Sequence, residues 1–118
     1  MTRKLDPEDR RQQRLRRLGT QNPRCATCGE PDSRTLELHH IAGRKNGDDL
    51  SVVCRNCHRK LSDNQLDRAS SAFTKPISQL DAIGNFLLGL ADLLLLAVDK
   101  LRECGAWLIE QAKRTAAT

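Results

Sequence analysis

Seven of the eight cysteine and histidine residues of this 118-residue chain fall between positions 25 and 58. Two Cys-x-x-Cys pairs, Cys25/Cys28 and Cys54/Cys57, bracket the doublet His39–His40, and His58 follows the second pair directly. Two such sulfur knuckles suit a tetrahedral Zn²⁺ bound by four thiolates, a structural site. Gly29, next to Cys28, supplies the tight turn that lets backbone N–H groups face the sulfurs. With the cysteines committed to zinc, three imidazoles are left for other work. A neutral imidazole can ligate a divalent cation or take a proton from water near neutral pH.

These groups need elements to hold them. Thr35–Ile41 alternates apolar and polar residues, which predicts a short strand with Leu36 and Leu38 on one face and Glu37 and His39 on the other. Neighbours on a strand point to opposite sides, so His39 and His40 are expected to take separate roles. Residues 42–49 read as a loop, with Asn46–Gly47 as the turn signal. Leu50–Val53 predicts a second strand. The second knuckle then opens a helix through Arg59, Lys60 and Leu61. Strand, loop, strand and helix make a ββα unit too small to stand on apolar burial alone, so a metal staple is expected.

The segment LHHI, followed by DLSVVCRNCH, resembles the zinc-stapled variant of the HNH endonucleases, the ββα-metal nucleases. The likeness covers positions 25–63. It implies phosphodiester hydrolysis with nucleic acid, DNA in particular, as substrate. It makes His40 the general base and His39 and His58 ligands of a divalent catalytic metal such as Mg²⁺, Mn²⁺, Ni²⁺ or Zn²⁺. Some members add a ligand one helical turn later; Ser62 stands there, so water or a substrate oxygen would complete the shell. The family's middle Asn, which orients the base, falls on Asp49. A carboxylate there can accept an imidazole N–H or join the metal shell, with Asn46 and Asp48 as nearby substitutes. Arg44 and Lys45 in the loop and Arg55, Arg59 and Lys60 around the helix start are candidate phosphate contacts.

Two flanking segments complete the chain. Residues 1–24 hold a basic excess equal to the net charge of the whole chain, +5. Positions 1–18 read as a helix with Asp6 as N-cap, Pro7 at its first position and Gly19 and Pro23 as its stop. Arg14 and Arg17 mark it as a phosphate-contacting arm, and Leu15 and Leu18 are its apolar anchors. No apolar run at this end suggests a signal peptide, and paired thiols fit the reducing cytoplasm. Residues 67–76 read as a linker. Ser78–Lys113 reads as one long helix in which Leu80, Leu87, Leu94, Leu101 and Leu108 repeat every seven residues, with Ile83, Leu90, Ala97 and Cys104 as a second row. Cys104 and Trp107 are expected to pack within it.

The expected fold is thus α+β: a basic N-terminal helix (1–24), a ββα zinc unit (25–66) and a long C-terminal helix (77–118). The long helix wants more burial than so small a unit offers. Self-association into a dimer or larger bundle is the preferred reading, with packing on the unit and membrane contact as rivals; Asp92 within the apolar stretch disfavours a membrane span. Two other functions stay open: a catalytically inactive zinc module that binds nucleic acid or protein, and a membrane-associated nuclease.

Overall fold

A computed structural model describes residues 3–68 and 75–117. Helix α1 spans Pro7–Leu18. The Asp6 carboxylate accepts from the Asp9 amide at 2.8 Å, the Asp9 carboxylate accepts from the Asp6 amide, and Gly19 closes the helix in the left-handed region at φ 78°. The helix therefore begins where the cap residues put it, and residues 3–6 stand outside it. Leu15 and Leu18 are buried, so α1 is part of the folded core, while Arg10, Arg11, Arg16 and Arg17 stay exposed.

Strands β1 (Leu36–His40) and β2 (Leu50–Cys54) form an antiparallel ribbon in which Leu36 pairs with Cys54 and His40 with Leu50. A two-stranded ribbon is marginal alone. Here it is covered on one side by α1 and the first knuckle and on the other by helix α2, Arg55–Arg68. Leu36, Val53 and Leu61 are almost fully buried between them. The loop joining the strands closes on itself: Ile41 donates to the Asp49 carbonyl (3.1 Å), and Gly43, at φ 91°, donates to the His40 carbonyl (3.1 Å).

Helix α2 runs to Arg68, past the start of the expected linker; residues 69–74 of that linker lie outside the described residues. Helix α3, Gln79–Ala117, is one unbroken helix of 39 residues, slightly longer than the heptad pattern predicts. Its first half crosses α2 and the strand loop. Leu93 joins the core there, with Phe86, Leu90 and Leu96 packed against it. Leu90 and Ala97 are therefore half-buried toward the unit, so the second heptad row is split between two faces. Gly89 sits where α3 meets the carbonyl of Ile41: a Cβ built on it would lie 1.6 Å from that oxygen. Only glycine permits this approach. Two further contacts fix the crossing. The Asn85 amide donates to Asn46 Oδ1 at 3.3 Å, and Arg68 pairs with Asp92.

The second half of α3 extends past the unit with its side chains exposed. By length and composition, α3 is apolar enough to cross a membrane; only 17% of its most apolar window is buried.

Candidate active site

Sulfur and imidazole occupy separate places. The four sulfurs of Cys25, Cys28, Cys54 and Cys57 all lie within 4.8 Å of one another. Cys28 Sγ is 3.7 Å from Cys54 Sγ. A tetrahedron with metal–sulfur bonds of about 2.3 Å requires sulfurs about 3.8 Å apart, so the cluster suits a tetrahedral zinc after at most a small contraction. The knuckles are built as expected: Gly29, at φ 81°, donates to the Cys25 carbonyl (2.9 Å), and the Cys57 amide points at Cys54 Sγ (3.5 Å). Ala26 donates to the Val52 carbonyl at 2.8 Å, which binds the first knuckle to β2.

The electrostatics of the cluster call for a cation. Burial opposes ionisation of Cys25, but the Thr27 hydroxyl and the amides of Cys54, Cys28 and Thr27 outweigh it and bring the thiol down to about 6. Burial pushes the Cys57 thiol up to about 12, with the neighbouring sulfurs of Cys54 and Cys25 adding to the rise. Burial likewise raises Cys28. Cys25 ionises readily, whereas Cys28 and Cys57 resist ionising beside it. A divalent ion removes that conflict.

The imidazoles meet on the other side of β1. His39 and His58 stand edge to face with ring centroids 5.3 Å apart. Together with His40, Arg44, Lys45 and Ser62 they line a cavity of about 300 Å³. His40 reaches this cavity although it neighbours His39 on β1. It is the last strand residue, where the chain turns into the loop, so strict alternation lapses. Gln65 on α2 holds that end of β1 by donating to the carbonyls of His40 (3.2 Å) and Ile41 (3.5 Å). Burial lowers His39 to about 4, and the nearby His58 and His40 rings add to the shift. His39 is therefore neutral at pH 7, the form that ligates metal.

Glu37 has a part that sequence reasoning did not assign. Its Oε2 lies 2.6 Å from His58 Nδ1, and Arg55 Nε is 3.4 Å from its Oε1. A carboxylate on Nδ1 fixes the proton there and leaves Nε2 with its lone pair free. The signal was present: Glu37 and His39 share one strand face, and His58 opens the helix laid against that face.

The remaining candidates are placed less uniformly. The Asp49 side chain is exposed at the entrance to β2 and is not among the residues lining the histidine cavity. Asn46 is buried and bonded to Asn85. Arg59 borders a shallow cleft beside His58 with Glu37 and Arg55. Lys60 lies on the knuckle side, near Cys28 and Cys57. Arg17 is exposed on α1, whereas Arg14 is half-buried and donates to the Ser33 hydroxyl at 3.3 Å.

With sulfur cluster and imidazole cleft both defined, the comparison with known proteins is direct. Residues 25–64 match the HNH endonuclease family. The match covers the ribbon, both knuckles and most of α2, and leaves α1 and α3 outside it. No curated protein and no solved structure matches the chain. The four-cysteine cluster inside the matched segment is consistent with a zinc-stapled variant of that family.

Proposed function

We propose that the protein is a metal-dependent endonuclease that hydrolyses phosphodiester bonds in DNA. The supporting observation is the convergence of His39, His40, His58, Arg44 and Lys45 on one cleft, apart from the sulfur cluster that staples the fold. His39 and His58 would hold the divalent cation, as a neutral buried ring and a ring oriented by Glu37. When bound, that cation relieves charge on the phosphate and assists the departing oxygen. His40 accepts the proton of the attacking water. Arg44 and Lys45 hold the flanking phosphates, and Arg17 with the other exposed arginines of α1 offers further phosphate contacts away from the cleft. Gln65 keeps His40 in place through its backbone carbonyl. Asp49 contributes through its backbone, whose carbonyl accepts from the Ile41 amide and closes the loop beside His40, while its carboxylate stays outside the cleft.

In the same proposal α3 is a self-association element and the protein works in a reducing cytoplasm, a reading supported by the free thiols of the two knuckles. The test is nicking of supercoiled plasmid by zinc-loaded protein with added Mg²⁺, Mn²⁺ or Ni²⁺. Wild type nicks, and His40→Ala loses about 10²–10⁴-fold. Equal nicking by the two proteins overturns the assignment. DNA binding with no turnover under any metal makes the chain a binding module instead.

A further inference from the structure

Helix α3 has two apolar faces, and the ββα unit covers one. On the covered face Asn85, Gly89 and Leu93 are buried and Asp92 meets Arg68. Toward the C-terminus the same face turns mostly charged: Asp99, Lys100 and Glu103 border a cavity beside the knuckles, and Glu110 and Arg114 follow, with the exposed Trp107 as its apolar exception. A face that meets water once its cover ends should behave this way. The opposite face does not change. Leu80, Leu87, Leu94, Leu101 and Leu108 recur along it and are 81, 56, 58, 71 and 61% exposed. Between them, at alternating steps of four and three, stand Gly84, Ala91, Val98 and Gly105. The two rows form a heptad seam in which one row is leucine and the other is glycine, alanine and valine, smaller at every position.

The glycines identify what the seam is for. Gly89 is explained by the Ile41 carbonyl. A Cβ on Gly84 or Gly105 would meet nothing within 4 Å. Each nevertheless costs about 1 kcal/mol of helix stability relative to alanine. Both lie in the small row of the outward seam, and small residues let a second helix come close.

We propose that α3 pairs with α3 of a second copy in an antiparallel arrangement across this seam. The proposal rests on the reading of α3 as a self-association element and adds its partner face, direction and register. With Leu94 set against the partner's Ala91, Leu87 meets the partner's Val98, Leu101 meets the partner's Gly84 and Leu80 meets the partner's Gly105. Four of the five leucines then face a smaller side chain, and Leu108 falls opposite the partner's Ile77, just before the helix begins. The same register places Asp81 beside the partner's Arg102, twice by symmetry, and Leu88 beside the partner's Leu95. Parallel pairing would stack leucine on leucine and glycine on glycine, leaving hollow layers, and would separate Asp81 from Arg102 by roughly 30 Å along the axis. The covered face lies opposite the seam, so the two ββα units sit on the outer sides of the pair.

The experiment uses the full-length zinc-loaded chain in sedimentation equilibrium. Wild type is a dimer, and Leu94→Glu is a monomer that still folds by circular dichroism. A monomeric wild type, or one that floats as a monomer with vesicles of phosphatidylcholine and phosphatidylglycerol, overturns the self-association reading itself. The direction is tested by charge exchange. Asp81→Arg or Arg102→Asp alone raises the dimer Kd about 3- to 30-fold, and the double exchange restores it to within about twofold. A dimer that persists without restoration overturns the antiparallel register and leaves self-association standing. Gly84→Leu gives a more helical chain yet weakens the dimer at least about tenfold. An unchanged or tighter dimer overturns the seam.

Discussion

Among the side chains of the cleft, Glu37 and His58 are the pair whose geometry is most demanding. At 2.6 Å the carboxylate fixes which imidazole nitrogen carries the proton. Glu37→Gln keeps the size but replaces one acceptor oxygen with an amide and removes the charge. Metal affinity and nicking should fall about 10- to 100-fold, with the melting temperature nearly unchanged. Isothermal titration with Mn²⁺ beside plasmid nicking checks this, and equal affinity in the two proteins would remove the role. His39 carries a pH consequence. Its folded pKa of about 4 lies below the ordinary imidazole value near 6.5, so the unfolded chain binds the extra proton first. In catalytic-metal-free protein this stability is fully present above about pH 6.5 and is lost as pH falls toward 4, by roughly 3 kcal/mol at most. Urea unfolding of wild type and His39→Gln across that window should show the slope in the first and a flatter profile in the second. The identities of these rings were legible from their spacing. The partner of His58 was not, because a carboxylate two residues before a histidine reads as ordinary strand alternation until the helix is laid over it.

At the scale of the elements, the caps and the ribbon were written in short-range chemistry. Asp6, Pro7 and Gly19 bound α1, and the knuckle glycine adopts the turn its position requires. What the sequence did not reveal is how α3 docks, since periodicity names apolar faces without saying which face meets what. Seven-residue spacing drew Leu90 and Ala97 into one row with Ile83 and Cys104, whereas the unit claims Leu90 for its core. The docking point depends on Gly89, and a lone glycine inside a helix is silent about its neighbour. Because a Cβ there would lie 1.6 Å from a backbone oxygen, no rotamer change can relieve the clash. Gly89→Ala should lift α3 off the strand loop and strain Ile41, next to the base. We expect a loss of about 1–3 kcal/mol, read as faster hydrogen exchange at residues 41–46 and 85–96 and a lower melting temperature. Gly105→Ala, in open space within one chain, should leave those amides unchanged.

For the whole molecule, the sulfur cluster decides whether a cleft exists at all. The knuckles join the segment before β1 to the turn from β2 into α2, and the core around them is small: among the described residues, Leu15, Leu36, Val53 and Leu61 are the large side chains fully withdrawn from water. Without a cation, the four sulfurs confined within 4.8 Å have nothing to bridge them, and ionising more than one sets like charges side by side. The staple and the reactive metal should therefore separate in a stripping experiment. Dialysis against a strong zinc chelator should release one zinc per chain and expose the amides of β1, β2 and α2 to exchange. The helical signal of α3, which rests on its own hydrogen bonds and its outward seam, should persist in part. Adding back Mg²⁺ alone should restore neither protection nor nicking, because a hard cation is a poor partner for thiolate. Stoichiometric Zn²⁺ should restore protection, and Mg²⁺ or Mn²⁺ given afterwards should restore nicking. Recovery of protected β1 and β2 amides with Mg²⁺ alone would show that burial by α1 and α3 suffices to hold the ribbon, and that the cysteines are not its staple.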